Sequence, residues 1–394
     1  MTIRPDDIVP RPDAARPQPT EPLVTPIYTA SVWKCDSPEQ ARQLLEGTLD
    51  GYVYQRDGHP NADVLADKCR ELHGTDRAAI TSSGMAAMSL ALLSQLGQGD
   101  HVVASNQMYG RTLQLLTVEA ARLGINCTLV DTTNLDRVAK AFTTRTRMLV
   151  VETIANPCLR VADIAALADI CARYNAHFLV DNTFATPVLC RPIELGADLV
   201  LESISKFMNG HSDVMLGLLC GGEKLWERVP QVLSAWGLGS SPFDCYLSAR
   251  GLATMHLRVD RASANAQKAA EMLAKHPAVE HVDYPGLPDH PDHKLAARQF
   301  GGRFGTVVTF RLRGGLAAAE SFIGAARRIP FCPSLGEVST TLSHPESTSH
   351  RGLSPQERKA LGIDGGTIRL SVGVESPEFV LSALEEALDW TKSR

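Results

Sequence analysis

Leu199-Val200-Leu201-Glu202-Ser203-Ile204-Ser205-Lys206-Phe207-Met208-Asn209-Gly210-His211 joins a short apolar run to a lysine set among small hydroxyl residues. The run Leu199–Glu202 has the length and residue types of a buried strand, and the turn after it presents Lys206. Lysine in that company is unusual for a purely structural loop. The two serines can hydrogen-bond a phosphate while the amine reaches an aldehyde. Attack by an amine requires the neutral form, so the surroundings must lower its pKa well below ~10.4. Taken alone, a single lysine is an ordinary surface charge.

Two features upstream change that reading. Thr81-Ser82-Ser83-Gly84-Met85 is a turn of small residues that runs into a helical pattern ending at Gly97 and Gly99. Amides at a helix start favour an anion, and glycine lets a phosphate approach the backbone. By itself such a turn is an N-cap. Asp181 closes the apolar run His177-Phe178-Leu179-Val180. A carboxylate at a strand end is often a cap or turn former, but a buried one needs a positive partner, and a protonated pyridine nitrogen would serve. All three features lie where an α/β sheet places its ligands, at the carboxyl ends of strands and the helix starts that follow.

The rest of the chain supplies the sheet. Strand-like runs at His101–Ser105, Asn126–Val130, Arg147–Glu152, Ala176–Asp181 and Asp198–Glu202 alternate with helical stretches, among them Leu113–Leu123 and Asp163–Tyr174. That alternation predicts a mainly parallel sheet covered by helices. One long helix is expected from about Arg250 to Ala274. After it the rhythm changes, and strands at Gly305–Leu312 and Thr367–Val372 with two further helices predict a smaller α+β domain. The expected division is an amino-terminal arm and subunit-contact segment (1–58), a cofactor-binding domain (59–250) and a carboxyl-terminal domain (251–394). Five prolines and few apolar residues up to Glu21 read as a flexible arm.

Composition sets limits on function. The chain has 394 residues, 44% hydrophobic and 21% charged, with a formal net charge of −5. An acidic balance without a basic patch argues against nucleic acid. No apolar run approaches the ~20 residues of a membrane span. The polar first residues lack a secretory core, and nine cysteines without a CxxC pair read as reduced thiols, so a cytoplasmic protein is expected. Asp289-His290-Pro291-Asp292-His293 has closely spaced histidines, but its prolines make it a surface loop, and no metal is expected.

In order along the chain stand Tyr54-Gln55-Arg56, Ser82-Ser83-Gly84-Met85-Ala86, Tyr109-Gly110, Glu152-Thr153-Ile154-Ala155-Asn156-Pro157 and Asp181-Asn182-Thr183. Ser203 to Gly210, Tyr284-Pro285-Gly286-Leu287, Ser334-Leu335-Gly336 and Arg369-Leu370-Ser371-Val372-Gly373 follow. From about Leu23 onward the chain resembles the Cys/Met-metabolism family of pyridoxal phosphate (PLP) enzymes, the trans-sulfuration group. The resemblance implies the aspartate-aminotransferase-like fold, PLP-dependent transferase fold type I. It also implies roles. Lys206 would carry the cofactor as a Schiff base and move protons, Asp181 would pair with the pyridine nitrogen, and Tyr109 would stack on the ring. Gly84, Met85, Ser203 and Ser205 would hold the phosphate, with Tyr54 and Arg56 supplied by a neighbouring subunit. Arg369, Asn156 and Ser334 would hold the substrate carboxylate. Family precedent gives a homotetramer built from dimers with shared active sites.

The sequence departs from its relatives around the substrate side chain. Pro333 stands where cystathionine γ-lyases and γ-synthases often carry Glu, and Arg111 follows Tyr109-Gly110 where methionine γ-lyases carry Cys. Arg111 reads either as a second anion contact or as a solvent-facing arginine at a helix start. Proline can neither accept a proton nor bind a distal amino group, which favours a carbon–sulfur lyase acting on cystathionine, homocysteine, methionine or a related amino acid. The alternatives are a γ-replacement enzyme of the cystathionine γ-synthase or O-acetylhomoserine sulfhydrylase type, an aminotransferase of the same fold, and a catalytically silent binding protein on it.

Overall fold

The structure, a computed structural model, describes residues 19–392. Most of the proline-rich arm expected up to Glu21 therefore lies outside the described residues. Among the described residues no helix is long and apolar enough to cross a membrane.

Seven strands form the large sheet: β1 (Arg77–Thr81), β2 (His101–Ser105), β3 (Asn126–Val130), β4 (Thr146–Glu152), β5 (His177–Asp181), β6 (Leu199–Glu202) and β7 (Gly217–Gly221). Their spatial order is β1-β7-β6-β5-β4-β2-β3. Neighbours from β6 to β3 run parallel, and β7 is antiparallel to both β6 and β1. Met148-Leu149-Val150-Val151 and Phe178-Leu179-Val180 are wholly buried. Their apolar runs do not alternate because helices cover both faces of the sheet. After β2 and β3 the chain returns to β4, β5 and β6 on the other side of β2. That reversal opens a crevice at the carboxyl ends of the strands, where Glu152, Asp181 and the Lys206 turn all emerge.

The second sheet is antiparallel, ordered β10-β11-β9-β8, from β8 (Val279–Asp283), β9 (Val307–Leu312), β10 (Thr341–Ser343) and β11 (Thr367–Ser371). β11 lies inside it and carries Arg369 opposite Thr309 on one side and Ser343 on the other.

Two expected helices come out differently. The stretch from Arg250 to Ala274 is two helices, Pro242–Leu252 and Met255–Lys275. The Gly251 carbonyl, which a continuous helix would use, instead accepts from the Thr254 amide and from Arg258 Nη2. Leu113–Leu123 is interrupted by a π turn at Leu115–Glu119, within which the Thr117 hydroxyl returns to the Leu113 carbonyl.

The Lys206 turn is gripped from two sides. Arg258 Nη1 donates to the Phe207 carbonyl at 2.8 Å and Nη2 to the Met208 carbonyl at 2.9 Å. From the other side comes Gly336, in the left-handed region at φ +89°, so close that a Cβ there would lie 2.6 Å from the Phe207 nitrogen and 2.9 Å from Lys206 Cα. Beneath the sheet's carboxyl edge, His73 Nε2 lies 3.2 Å from Glu202 Oε1, both side chains fully buried. Asn182 donates to the same oxygen at 3.0 Å and accepts from the Thr153 hydroxyl at 2.7 Å. The ends of β4, β5 and β6 are thereby tied to the helix Pro60–His73.

Gly336→Ala should destabilise the protein by at least about 2 kcal/mol in urea unfolding, because left-handed strain and backbone overlap act together. Gly237, also left-handed at φ +64° but with open space around it, should lose only about 1 kcal/mol on the same change.

Candidate active site

A cavity of about 580 Å³ opens at the carboxyl ends of β4, β5 and β6, lined by Gly84, Met85, Tyr109, Glu152, Asn156, Asp181, Ser203, Ser205, Lys206, Ser334 and Arg369 among others. Ten of the twelve residues singled out in the sequence are thus brought to one place, and Glu152 joins them. Tyr54 and Arg56 are the two that stand outside it. They are exposed, with the Arg56 guanidinium 4.9 Å over the Tyr54 ring.

Lys206 Nζ donates to Ser334 Oγ at 2.8 Å. Burial, then the nearby Arg369 guanidinium, holds the amine below its usual range. Both effects favour the neutral form that a nucleophile needs. Arg369 is almost completely buried. Its Nη1 donates to Asn156 Oδ1 and its Nη2 to the Ser334 carbonyl, each at 2.9 Å, while Nε has no partner. Burial pushes the guanidinium down to about 10. An orphaned donor on a buried cation beside a cavity is a ready site for a carboxylate.

The acids respond in the opposite sense. Asp181 Oδ1 accepts from the Thr183 amide at 3.0 Å and hydroxyl at 2.6 Å. Burial nevertheless raises its pKa above the ordinary carboxyl range. Glu152 at the end of β4 is paired in register with Asp181 at the end of β5. Burial, then the Asp181 charge, raises it as well. Two acids that resist ionisation at one end of a cavity fit a cationic ligand group.

At the phosphate end, Ser83 Oγ accepts from the Ala86 amide, and the first amides of the helix Gly84–Gln95 have no intrahelical partner. A Cβ on Gly84 would lie 2.9 Å from Ser203 Cβ, so glycine is what lets the helix start and the Lys206 turn meet. Thr183 Oγ1 accepts from the Ser203 amide at 2.8 Å. Ser205 lines the cavity, but its hydroxyl bridges the amide and carbonyl of Leu216.

Thr183 and Glu152 both lie in motifs visible in the sequence, yet their contacts are to residues 20 and 43 positions away. The sequence pattern gave no sign of those pairings. Arg111 is exposed, donates to Gln114 Oε1 at 2.6 Å and does not line the cavity. In the histidine-bearing loop, Asp292 accepts two hydrogen bonds from Arg160, and His293 Nδ1 meets the Pro285 carbonyl. His350, buried beside Arg369, is pushed down to about 4 by burial and that cation.

Comparison with known proteins gives the site its setting. An L-methionine gamma-lyase of Porphyromonas gingivalis is 40% identical over 370 residues, 93% of this chain and 92% of the relative. A cystathionine gamma-synthase of Mycobacterium tuberculosis is 40% identical over 375 residues, 95% and 94% of the two chains. The crystal structure of a cystathionine gamma synthase from Xanthomonas oryzae pv. oryzae in complex with cystathionine superposes with a TM-score of 0.89 at 35% identity, covering 94% of each chain. The fold is therefore the fold type I of PLP-dependent transferases, with its large, mostly parallel sheet and smaller antiparallel one. The family described as Cys/Met metabolism PLP-dependent enzyme matches residues 11–389, and the chain belongs to it.

Proposed function

We propose that this PLP-dependent enzyme is a carbon–sulfur lyase that, with uptake of one water, releases a thiol, ammonia and an oxo acid from a sulfur-containing amino acid. The observation that carries this reading is the charge inventory of the cavity. Its charged lining residues are Glu152, Asp181, Lys206 and Arg369; the last three serve the cofactor and the substrate carboxylate, and both oxygens of Glu152 are taken by the Tyr109 and Asn156 amides. Met88, Val214, Met215, Cys332, Pro333 and Leu335 complete an apolar wall. Among the described residues no further cation or anion lines the cavity to hold a distal charged group. A γ-replacement enzyme is the second reading, favoured by the equal identity to a cystathionine gamma-synthase.

The residues present fit PLP. The Gly84–Ser203 cradle and the open helix start suit a phosphate, the raised Asp181 suits a protonated ring nitrogen, and Lys206 has a depressed amine beside the same cavity. Gly84, Met85 and Ser203 would hold the phosphate, joined by Ser205 once its hydroxyl turns from the Leu216 carbonyl. Tyr109, 42% exposed at the cavity, would stack on the ring. When bound, the cofactor supplies an electron sink for the substrate's α-carbon.

The chain's own groups do the rest. Arg369, with Asn156 and Ser334 fixing its two outer nitrogens, would bind the substrate carboxylate from the cavity wall. Asp181 would face the cofactor's ring nitrogen and favour its protonated form. Lys206 Nζ, oriented by Ser334 Oγ, would hold the cofactor and serve as the base for the α-proton. Tyr109, at the cavity, would serve in proton transfer. The apolar wall excludes water from that end of the cavity.

The assembly we propose is a homotetramer of dimers, in which Tyr54 and Arg56 of one copy reach the phosphate of another. Their exposure outside the cavity supports this, as does the exposed apolar surface of Val32, Met215 and Trp236. On this reading residues 1–58 form the arm that contacts the second copy, 59–250 the cofactor domain and 251–394 the carboxyl-terminal domain. We place the enzyme in the cytoplasm, where its free cysteines would stay reduced.

Purified protein with PLP should show a visible absorbance band that Lys206→Ala abolishes. It should also release thiol, ammonia and oxo acid together from methionine, homocysteine or cystathionine. Replacement of the acyl group of O-acetylhomoserine by an added thiol, with no elimination from any of these, would move the assignment to the second reading. Asp181 gives a stability test on the cofactor-free protein. Its folded pKa is raised, so the stability linked to it is fully present below the ordinary carboxyl value of ~3.9 and is lost as pH rises through the raised one. Asp181→Asn should therefore be more stable than the parent at pH 8 by on the order of 1–3 kcal/mol in urea unfolding, and equal to it near pH 4. The same variant should bind PLP at least about tenfold more weakly, because a charge-assisted contact is gone.

A further inference from the structure

Glu152 touches two residues that the proposed mechanism needs but is given no part in it. It is 7% exposed, lines the cavity, and uses both carboxyl oxygens on backbone amides. Oε1 accepts from the Tyr109 amide at 2.6 Å and Oε2 from the Asn156 amide at 3.3 Å. Tyr109 stands at the start of the short helix Gly110–Gln114 and makes no side-chain cap there. Its amide is therefore anchored by Glu152, 43 residues further along the chain. Asn156 sets the Arg369 guanidinium through its own side chain. Arg369 holds the Ser334 carbonyl, and the Ser334 hydroxyl accepts from Lys206. The contacts form one unbroken line from Tyr109 through Glu152, Asn156, Arg369 and Ser334 to Lys206.

We propose that Glu152 is a positioning residue that braces the ring-stacking tyrosine against the carboxylate clamp, fixing the distance between cofactor ring and substrate carboxylate. The inference rests on the reading of Tyr109 and Arg369 given above. Its chemistry calls for a carboxyl group and not merely a polar one. Two N–H donors converge on the side chain, and only a carboxyl offers two acceptor oxygens in that geometry. Glutamine has one, and its NH2 would face the second amide donor to donor. The acid is also hard to ionise there, through burial and the Asp181 charge. A buried group that is kept at such disadvantage needs a use beyond filling space.

Glu152→Gln and Glu152→Ala separate the two arms of the brace in the PLP-loaded enzyme. In Glu152→Gln the amide oxygen should stay on the shorter Tyr109 contact, so only the Asn156 arm fails. KM for the amino-acid substrate should rise about tenfold, the upper end expected for loss of one buried hydrogen bond, with kcat falling less than about threefold. The visible circular dichroism of the bound cofactor should match the parent. Glu152→Ala loses both arms, so KM should rise further and the visible dichroism should change in sign or size. Arg369→Ala is measured alongside. If it leaves KM unaltered, the carboxylate clamp is misread and the brace falls with it. If Arg369→Ala raises KM but both Glu152 variants stay within twofold of the parent and keep its dichroism, the brace alone is overturned. Thermal unfolding of each variant without cofactor shows whether the fold is intact. A KM rise in Glu152→Ala that Glu152→Gln shares in full, with identical dichroism in both, would likewise refute a two-armed brace.

Discussion

The contact on which this structure turns is the approach of Gly336 to the backbone of Lys206 and Phe207. No side chain fits between them. That absence lets a loop leading into the small sheet lie directly on the turn that leaves the large one. Everything in the cavity follows from it. Ser334, two residues earlier, reaches Lys206 Nζ with its hydroxyl and Arg369 with its carbonyl. The Gly336 amide donates to Ser371 Oγ at 3.0 Å, fastening the same loop to the end of β11. The lysine turn that leaves one sheet and a guanidinium on the other are thereby held together.

The electrostatics of the cavity have a common logic. Burial disfavours charge on every ionisable group there, lowering Lys206 and Arg369 and raising Asp181 and Glu152. The two cations lie near one another, and so do the two acids. For Lys206 the Arg369 charge, and for Glu152 the Asp181 charge, reinforces what burial does, so each end of the cavity favours a ligand of opposite sign. A molecule with an anionic carboxylate at one place and a cationic ring nitrogen at another relieves both at once. The pair His73–Glu202 lies one layer beneath, away from the cavity lining, joined to it through Asn182.

Much of this was legible in the sequence, for a physical reason. Asp181 and Lys206 each sit directly after an apolar run too short and too uniform to be anything but a buried parallel strand, and strand ends are where such sheets place their ligands. Gly84 announced itself by standing between a hydroxyl-rich turn and a helical pattern. The features that escaped notice depend on partners far along the chain. Glu152 and Thr183 stand in visible motifs, but nothing local says that one accepts from the Tyr109 amide or that the other's hydroxyl oxygen accepts from the Ser203 amide. The break between Pro242–Leu252 and Met255–Lys275 depends on Arg258 capturing a carbonyl, an event with no signature in periodicity. β1 and β7 cannot be read from sequence, because five residues with two alanines or two glycines carry too little pattern.

The order in which the chain is made gives the Gly336 contact a further meaning. Glu152, Asp181 and Lys206 leave the ribosome well before Ser334 and Arg369, and β11 is the last strand of all. Ser334 and Arg369, which meet at the Lys206 amine, thus come from the last third of the sequence. The cavity has its full lining only when β11 lies between β10 and β9, so the last strand made is the one that completes a site begun by the first sheet.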